Sequence, residues 1–420
     1  MGRDFPRVNV RLQAVDEHYN ARVLGIRVGT SHSFESPLIV PSQREYQYKS
    51  DLPTVKIVGA PLAVIDYPIH KAEVVRVFGD DRFWTSFRRY ITSRLSKLIH
   101  VPLKIVNVYF EDSAVNELQS TSDEFLKKYR RFYEYVIDSL RGFQELGPII
   151  LLVQNVTHIL SDQNELYAFV KQKAKVVWGH NFLVAPVVDF KVFRGNARNS
   201  DLRSYLLWIR DEFVQNGAPF VFIRQRFPPE NYIVSYYTLW DVFSEEDVVL
   251  LYVGCRKSVD GISYPHFKYF RFGDLFAPRV YRRPYSGESA PKGLCTSTLE
   301  MKDLGDLVAN TQFFEQLGAM FPKRDFESFV LPAIRHWREA FGGNMSSSTL
   351  DRKKKQEIQE KRRILRAIVG LHSYSFGNGE FSVLSEFVVD HAVKEYLEEK
   401  GSRFKSVLRK HEIFPSRRLF

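Results

Sequence analysis

The feature that most constrains this chain is a regular alternation of short apolar segments with amphipathic helical segments. Six apolar segments, rich in Val, Ile, Leu and Phe, occupy residues 56–66, 103–112, 148–154, 181–189, 219–226 and 247–255. Apolar runs of this length, bounded by Gly, Pro or charge, are typical of strands that are buried on both faces of a parallel sheet. The alternation therefore predicts an α/β fold with right-handed crossover connections.

The segments between these runs carry apolar residues at spacings of three and four, as amphipathic helices do. Phe125, Tyr129, Phe132 and Val136 form one such face, and Thr121-x-x-Glu124 matches a capping box at its start. Six or more β-α units favour a TIM-like (β/α) barrel over an open doubly wound sheet, although the periodicity is compatible with both. In either architecture the active face lies at the carboxyl ends of the strands.

Four regions are predicted along the chain. Residues 1–55 carry short N-terminal β strands, and residues 56–284 form the barrel core. Residues 285–342 begin with a loop rich in Ser, Gly and Pro and continue as a helical extension. Residues 343–420 are predicted as a basic helical C-terminal region, with a helix over residues 352–372 and a turn at residues 377–379.

The charge of the chain points to a polyanionic partner. It has 60 Lys and Arg residues against 49 Asp and Glu residues, a net charge of +11. Residues 351–420 hold 16 basic and 10 acidic residues, a net charge of +6. Because a basic surface attracts polyanions and releases their counterions, tRNA or DNA is the predicted partner. The predicted nucleic-acid-binding residues are Arg279, Arg282, Arg283, Lys353, Lys354, Lys355, Arg362 and Arg363.

Composition and motifs exclude several other classes of protein. With 44% hydrophobic and 26% charged residues, the chain is neither disordered nor fibrous. Its apolar runs are shorter than the roughly 20 residues of a membrane-spanning helix, and its first residues lack an apolar signal core. We therefore expect a cytoplasmic protein that does not contact membranes.

No resident cofactor or metal is predicted. Cys255 and Cys295 are the two cysteines, too few for a disulfide framework or a four-thiolate zinc site. The sequence also lacks a Walker phosphate loop, a Gly-x-Gly-x-x-Gly motif and a His-Glu-x-x-His motif.

Polar residues end the apolar segments, and in a barrel these ends converge on one mouth. They are Asp66, Asp112, Gln154, Asp189, Gln225 and Gly254. A partly buried carboxylate at such a place has a raised pKa and can act as an acid, base or nucleophile. Asp112 is predicted to be catalytic on this basis.

A nuclease is a further hypothesis. Asp189 and Lys191 form an Asp-x-Lys pattern on a predicted strand, with Asp162 upstream. Two carboxylates could hold a magnesium ion while the lysine stabilises the attacked phosphate.

Taken in order, four stretches resemble the tRNA-guanine transglycosylases, especially their archaeosine-type branch and DNA-modifying relatives. Residues 21–25 (ARVLG) and 35–41 (ESPLIVP) resemble the opening strands of that family. Residues 149–152 and 182–186 resemble the strands around its base pocket, and residues 220–226 and 251–254 its base-reading strands. Residues 368–379, with YSFG at 374–377, are similar to a segment beyond the barrel. The chain departs from the family in lacking its zinc site of three cysteines and a histidine.

The resemblance implies a specific mechanism. An aspartate, here Asp274, attacks the ribose C1′ of a guanosine that has left its stack, and a 7-deazaguanine base then displaces the enzyme. Asp189 would bind the base edge, and Gln225 with the Gly254 backbone would bind its carbonyl. The general-base aspartate of the family aligns near Gln154, which is a departure. Two alternatives stay open beside this transglycosylase hypothesis: a non-catalytic nucleic-acid-binding subunit on the same fold, which would suit a homo- or hetero-dimer, and the metal-dependent nuclease.

Overall fold

The computed structural model of the 420-residue chain describes most of the sequence. The described residues are 7–16, 21–42, 45–46, 48, 51–52, 61–118, 122–143, 148–178, 182–194, 199–226, 229–255, 258–259, 262–263, 272–279, 291–295, 301–341 and 351–379. Among these residues, no helix combines the length and the apolar character that crossing a membrane requires.

The chain begins with a three-stranded antiparallel sheet. It consists of β1 (Val8–Asp16), β2 (Ala21–Val28) and β3 (His32–Glu35), in the order β1-β2-β3. Pairing between β1 and β2 shifts by one residue between Leu12 and Ala14.

Eight parallel strands form the main sheet. They are β4 (Leu38–Ile39), β5 (Leu62–Ile69), β6 (Leu103–Phe110), β7 (Ile149–Gln154), β8 (Phe182–Val188), β9 (Phe220–Arg224), β10 (Val249–Cys255) and, after a small hairpin of β11 (Ser258–Val259) and β12 (Ile262–Ser263), β13 (Leu275–Pro278). Each strand from β5 to β10 pairs in parallel with the next one along the chain.

The last strand of this sheet returns to the first. β13 pairs with both β10 and β4, which gives the order β4-β13-β10-β9-β8-β7-β6-β5. This is the strand order of a TIM-like (β/α) barrel. The described residues record no ladder between β4 and β5. Nevertheless, Val40, just after β4, and Leu62 of β5 belong to one apolar cluster with residues of every strand from β5 to β10 and of β13.

Helices cover the outside of the barrel because each connection between parallel strands must cross over the sheet. They are α1 (Val74–Gly79), α2 (Asp81–Leu95), α3 (Asp112–Leu118), α4 (Ser122–Ser139), α5 (Leu160–Trp178), α6 (Asn199–Ile209) and α7 (Ile233–Phe243). The predicted apolar face of α4 is confirmed, since Tyr129, Phe132 and Val136 are fully buried. Thr121, the first residue of the predicted capping box, lies outside the described residues.

Alternate residues of the strands fill the barrel interior. Leu62 and Val64 of β5 pack with Leu24, Ile26 and Val28 of β2. The residues between them, such as Ala63 and Ile65, pack against the surrounding helices instead. The β2 side chains therefore close the end of the barrel at which the strands begin.

A second apolar core holds the C-terminal region together. The elements of this region are the hairpin β14 (Lys292–Leu294) and β15 (Met301–Asp303), then α8 (Leu304–Val308), α9 (Thr311–Met320), α10 (Lys323–Asp325), α11 (Leu331–Arg335), α12 (Trp337–Phe341) and α13 (Arg352–Gly379). A π-helical turn, Phe326–Val330, joins α10 to α11. Leu365, Ile368 and Val369 of α13 are buried in this core with Leu304 and Phe313.

Three features differ from the sequence-based expectations. β4 lies within residues 1–55 yet belongs to the barrel, so the barrel begins before the predicted boundary. β4 and β13 are not predicted as barrel strands because they are only two and four residues long. Residues 377–379 continue α13 rather than forming a turn. Residues 380–420 of the predicted basic helical C-terminal region lie outside the described residues.

Candidate functional site

At the carboxyl ends of the strands, the inward-facing positions change from apolar to polar. The pattern runs through Leu62, Val64 and Asp66 on β5, Leu103, Ile105 and Asn107 on β6, Phe220, Phe222 and Arg224 on β9, and Leu275 and Ala277 on β13 with Arg279 just after it. Because side chains alternate between the two faces of a strand, the polar residue stands above the apolar ones in each case. The mouth of the barrel is therefore lined by charged and amide groups.

Asp66 is one of two almost completely buried carboxyls of this mouth, the other being Asp189. Asp66 is 2% exposed, and its Oδ1 accepts a hydrogen bond of 2.7 Å from Nδ2 of Asn107. Its Oδ2 accepts no hydrogen bond within the described part of the chain. Burial raises the pKa of Asp66 to about 6, against the opposing effects of the Asn107 hydrogen bond and of the Arg279 and Arg224 charges.

Asp189 and Asp112 are tied to one arginine. Nε of Arg226 donates to Oδ1 of Asp189 at 2.7 Å, and Nη1 of Arg226 donates to Oδ2 of Asp112 at 2.8 Å. Arg224 adds a contact of 3.3 Å to Asp189, and Lys191 one of 3.1 Å to Asp112. Burial opposes ionisation of both carboxyls, but the arginines outweigh it, so the pKa of Asp189 is lowered and that of Asp112 falls to about 2.

Glu111, just after β6, carries a second ion-pair group. It accepts from Nη2 of Arg279 and, at 2.7 Å, pairs with Nδ1 of His70. Its pKa is lowered, because burial is outweighed by these two partners. The guanidinium of Arg224 stacks 4.3 Å from the centre of the Tyr109 ring. Arg224 also donates to Asp189, and its charge acts on Asp66, so it interacts with both carboxyls.

A pocket of about 530 Å³ opens beside these ion pairs. Its walls come from the ends of β6, β7 and β8 and from α3, α4 and α5. They are formed by Asp112, Val115, Asn116, Phe125, Leu126, Tyr129, Gln154, Asn155, Val156, Thr157, His158, Asp162, Asp189, Lys191, Val192 and Arg226.

Two buried residues of the pocket have polar atoms with no protein partner among the described residues. One atom is the hydroxyl of Tyr129, which is fully buried, and the other is Oδ1 of Asn155, which is 1% exposed. Nδ2 of Asn155 donates to the Thr157 carbonyl at 3.0 Å, so Oδ1 is the free acceptor. Burial raises the pKa of Tyr129 well above its usual value, so its hydroxyl remains a donor. Tyr129 and Asn155 of the pocket wall thus hold one buried donor and one buried acceptor that no described protein group uses.

Asp274 lies at the opposite end of the barrel from this mouth. It directly precedes β13, and all eight strands are parallel. Its Oδ1 accepts from Nε of Arg22 at 3.0 Å, and its Oδ2 accepts from Nη2 of Arg22 at 2.8 Å and from the Leu250 amide at 2.7 Å. The structure therefore does not bring the predicted nucleophile to the predicted base-binding residues. Its carboxylate instead connects the N-terminal sheet to the barrel, through its ion pair with Arg22 of β2.

The other predicted site residues lie at the mouth, each at the end of a strand of the main sheet. Asp112, Asp189, Gln225 and Gly254 all lie at the carboxyl ends of β6, β8, β9 and β10. Oε1 of Gln225 has no hydrogen-bond partner among the described residues, and the residue is 8% exposed. Gly254 has a φ of 71°, which residues other than glycine rarely adopt. Gln154, where the general base of the family aligns, accepts from the Phe110 amide through Oε1 and donates to the Phe110 carbonyl through Nε2.

One predicted nucleic-acid-binding residue lies in the barrel mouth, five lie on α13, and two lie outside the described residues. Arg279 lies in the mouth, paired with Glu111, while Arg282 and Arg283 lie outside the described residues. On α13, Arg362 donates to the Ala340 carbonyl, and Arg363 pairs with Glu360 and Asp51. Lys353 and Lys354 are exposed, and Lys355 is half-buried. The side chains of residues 374–379 are not described.

The nuclease residues come together without forming a metal site. Asp162, Asp189 and Lys191 all line the pocket. Asp189, however, is occupied by arginines, and across the residues described above no cluster of three or more His, Cys, Asp or Glu is arranged to hold a metal ion. Cys255 and Cys295 are both buried, and neither forms a disulfide within the described part of the chain.

Several residues of the mouth were not predicted as site residues, among them Asn107, Glu111, Arg224 and Arg226. The signal that could have found the arginines is the alternation Phe220-x-Phe222-x-Arg224-x-Arg226, in which two apolar positions of one face are followed by two charged positions. Tyr129 and Asn155 carry no comparable signal. Tyr129 lies on an apolar helix face, and Asn155 lies in a polar loop.

Comparison with known proteins gives few matches. No protein-family model matches the chain, and no curated protein matches it. Two solved structures are weakly similar to the chain. A GH26 β-mannanase from Bacteroides ovatus is 10% identical, with a TM-score of 0.35 over 60% of this chain and 85% of the mannanase. A Ruminococcus gnavus β-glucuronidase is 10% identical, with a TM-score of 0.28 over 64% of this chain and 56% of the glucuronidase.

Proposed function

We propose that this protein is a base-exchange enzyme of the transglycosylase type that acts on tRNA or DNA, with Asp66 as its proton-transfer residue. The observation that carries the proposal is the state of Asp66. This carboxyl is buried at the barrel mouth, one of its oxygens has no described partner, and its pKa is raised to about 6. A carboxyl with a pKa near neutrality both accepts and donates protons at physiological pH.

In this proposal Asp66 performs the acid–base chemistry that the sequence predicts for other carboxylates. At neutral pH it is mostly ionised and accepts the proton that an incoming base loses when it bonds to the sugar. The bond from the ribose C1′ to the departing base breaks as the new bond to C1′ forms, and the proton held by Asp66 passes to the departing base. Asn107 orients Asp66 through Oδ1, while the Arg224 and Arg279 charges act on Asp66 and favour negative charge beside it.

The pocket lined by Asp112, Asp189 and Arg226 suits a heterocyclic base. Such a base presents hydrogen-bond donors and acceptors along one edge, which complement Oδ1 of Asn155 and the hydroxyl of Tyr129. Phe125, also in the pocket wall, offers an aromatic surface for a base ring. A base that is part of a helix would have to leave its stack to reach this depth.

Incorporation of labelled guanine into bulk tRNA and into duplex DNA tests the proposal. We expect Asp66→Asn to abolish incorporation while leaving the thermal unfolding transition cooperative. Asp241→Asn is the matched control, because it converts an exposed helix carboxylate, paired with Arg203, to the same amide. Full incorporation by Asp66→Asn would refute the assignment of Asp66, and no incorporation by the wild-type protein would refute base exchange.

A non-catalytic nucleic-acid-binding subunit is the second candidate. The ion pairs of Asp112, Asp189 and Glu111 favour it, because they already neutralise most acidic groups of the mouth. Tight binding of tRNA or DNA without any exchange would support this candidate. Magnesium-dependent cleavage that disappears in Lys191→Ala would instead support the nuclease.

A further inference from the structure

One helix of the barrel presents an uncompensated basic face to solvent. Arg82, Arg88 and Arg89 of α2 and Lys97 in the turn that follows it are exposed. Within the described part of the structure, none of the four forms an ion pair with a carboxylate. Nη2 of Arg88 donates to the Arg141 carbonyl at 3.2 Å, which brings a further exposed arginine to the same surface. We call these five residues the α2 basic face.

Two cations on other helices are matched by acids one turn away. Arg76 contacts Asp80 at 3.2 Å, and Lys361 contacts Glu357 at 2.8 Å. Helix α2 has a single acidic residue, Asp81, which lies in its first turn and there complements the helix dipole. Asp80, the residue that caps the helix, is held by Arg76. Most of the positive charge of α2 is therefore not balanced by its own helix.

The opposite face of α2 fixes how the cations are presented. Phe83, Trp84, Phe87, Ile91 and Leu95 are buried, and Trp84 also donates to the Val77 carbonyl at 2.9 Å. A helix held in this way cannot rotate its charged side away from solvent. From Arg82 to Lys97 the face is about 22 Å long, at about 1.5 Å per residue.

We propose that the α2 basic face binds the sugar-phosphate backbone of the nucleic acid on which this protein acts. The inference builds on the proposed function and adds the surface through which the substrate is held. Exposed positions between the cations are all serine or threonine, so the face lacks the apolar centre of a protein interface and the apolar side chains that enter a membrane. Charge without apolar surface suits a phosphate backbone.

The position of α2 agrees with a substrate that also reaches the mouth. The chain leaves β5 at its carboxyl end, passes through α1 into α2 and returns to the start of β6. In such a crossover the helix runs back from the mouth, so Arg82 lies nearer to the mouth than Lys97 does. A strand whose base enters the mouth can therefore continue along α2.

The test is the salt dependence of binding to tRNA and to a DNA duplex, measured by fluorescence anisotropy. The variant is Arg82→Gln/Arg89→Gln/Lys97→Gln. Its control, Lys127→Gln/Lys171→Gln/Lys175→Gln, removes the same charge from exposed lysines of α4 and α5. We expect the affinity of the α2 variant to fall more than tenfold, with a salt slope smaller by about 0.9 for each phosphate that the variant no longer neutralises. The control should change affinity less than twofold.

Three outcomes would overturn the proposal. They are an equal fall in affinity in the two variants, no binding of either nucleic acid by the wild-type protein at low salt, and tighter binding to polyglutamate or to phosphatidylserine vesicles than to nucleic acid. Asp66→Asn separates this proposal from the enzymatic one. If it binds with the wild-type salt slope, the surface stands whether or not base exchange is observed.

Discussion

Arg22 of β2 clamps Asp274 at the closed end of the barrel, with both side chains almost completely buried. The same guanidinium donates to the carbonyls of Phe243, Glu246 and Val248. Arg22 thus donates hydrogen bonds both to the backbone carbonyls before β10 and to the carboxylate before β13. The N-terminal sheet is attached to the barrel through this buried cation as well as through its apolar side chains.

Removing one partner of this pair should destabilise the protein strongly. We expect Asp274→Asn to lower the free energy of unfolding by about 3–5 kcal/mol, because it leaves the Arg22 charge buried without its counter-ion. Urea denaturation monitored by circular dichroism measures the change. A decrease below about 1 kcal/mol would contradict the buried ion pair.

Asp66 should make stability depend on pH. Its folded pKa of about 6 lies above the ordinary value of 3.8, so the folded state holds its proton more tightly than the unfolded chain does. The stability contribution is therefore fully present below about pH 4 and disappears as pH rises through 6, by up to about 3 kcal/mol. Asp66→Asn should lack this decline, and the difference between the two unfolding curves across pH 4–7 is the measurement. Parallel curves would exclude the raised pKa.

The same carboxyl should set the pH dependence of base exchange. Because the ionised form of Asp66 accepts the first proton, we expect kcat/KM to rise with pH through a value near 6. Initial rates of guanine incorporation between pH 5 and pH 8 measure this. A profile that falls through pH 6 would instead assign the first step to the protonated carboxyl.

Removing the Tyr129 hydroxyl should weaken substrate binding without lowering the stability of the protein. Its buried hydroxyl has no described partner, so Tyr129→Phe should not lower the free energy of unfolding, yet it should raise KM by about 3- to 10-fold by removing a donor from the pocket. Tyr133→Phe is the matched control. The Tyr133 hydroxyl accepts from the Gln154 amide at 2.6 Å, so its removal should cost about 1 kcal/mol of stability. The idea fails if Tyr129→Phe destabilises the protein as much as Tyr133→Phe does.

Arg226 should be intolerant of lysine. Its planar guanidinium donates to Asp189 through two nitrogens and reaches Asp112 as well, which an ammonium group cannot reproduce. We expect Arg226→Lys to lower the free energy of unfolding by about 1–3 kcal/mol. Arg203→Lys, on an exposed pair with Asp241, should change it by less than about 0.5 kcal/mol. Equal effects in the two variants would show that Arg226 does not form its hydrogen bonds to Asp189 and Asp112.

The proposed site combines residues that are visible in the sequence with residues that are not. Asp66, Asp112 and Asp189 are predicted at the mouth, because each follows or ends a continuous apolar run. Asp274 is grouped with them on family resemblance, although it precedes its strand instead of following it. A strand of four residues leaves too weak a pattern to show on which side of it an aspartate lies.

The sequence by itself determined the alternation of buried strands with amphipathic helices, and through it the parallel α/β architecture. Apolar burial is encoded locally, by periodicity along each segment, so it can be recognised without knowledge of distant contacts. Only the tertiary structure decided which carboxylates are neutralised and which one keeps a raised pKa. Arg226 meets Asp112 across 114 residues of chain, and Arg22 meets Asp274 across 252. The ionisation of a buried acid depends on such neighbours and on its depth, which arise when the strands assemble.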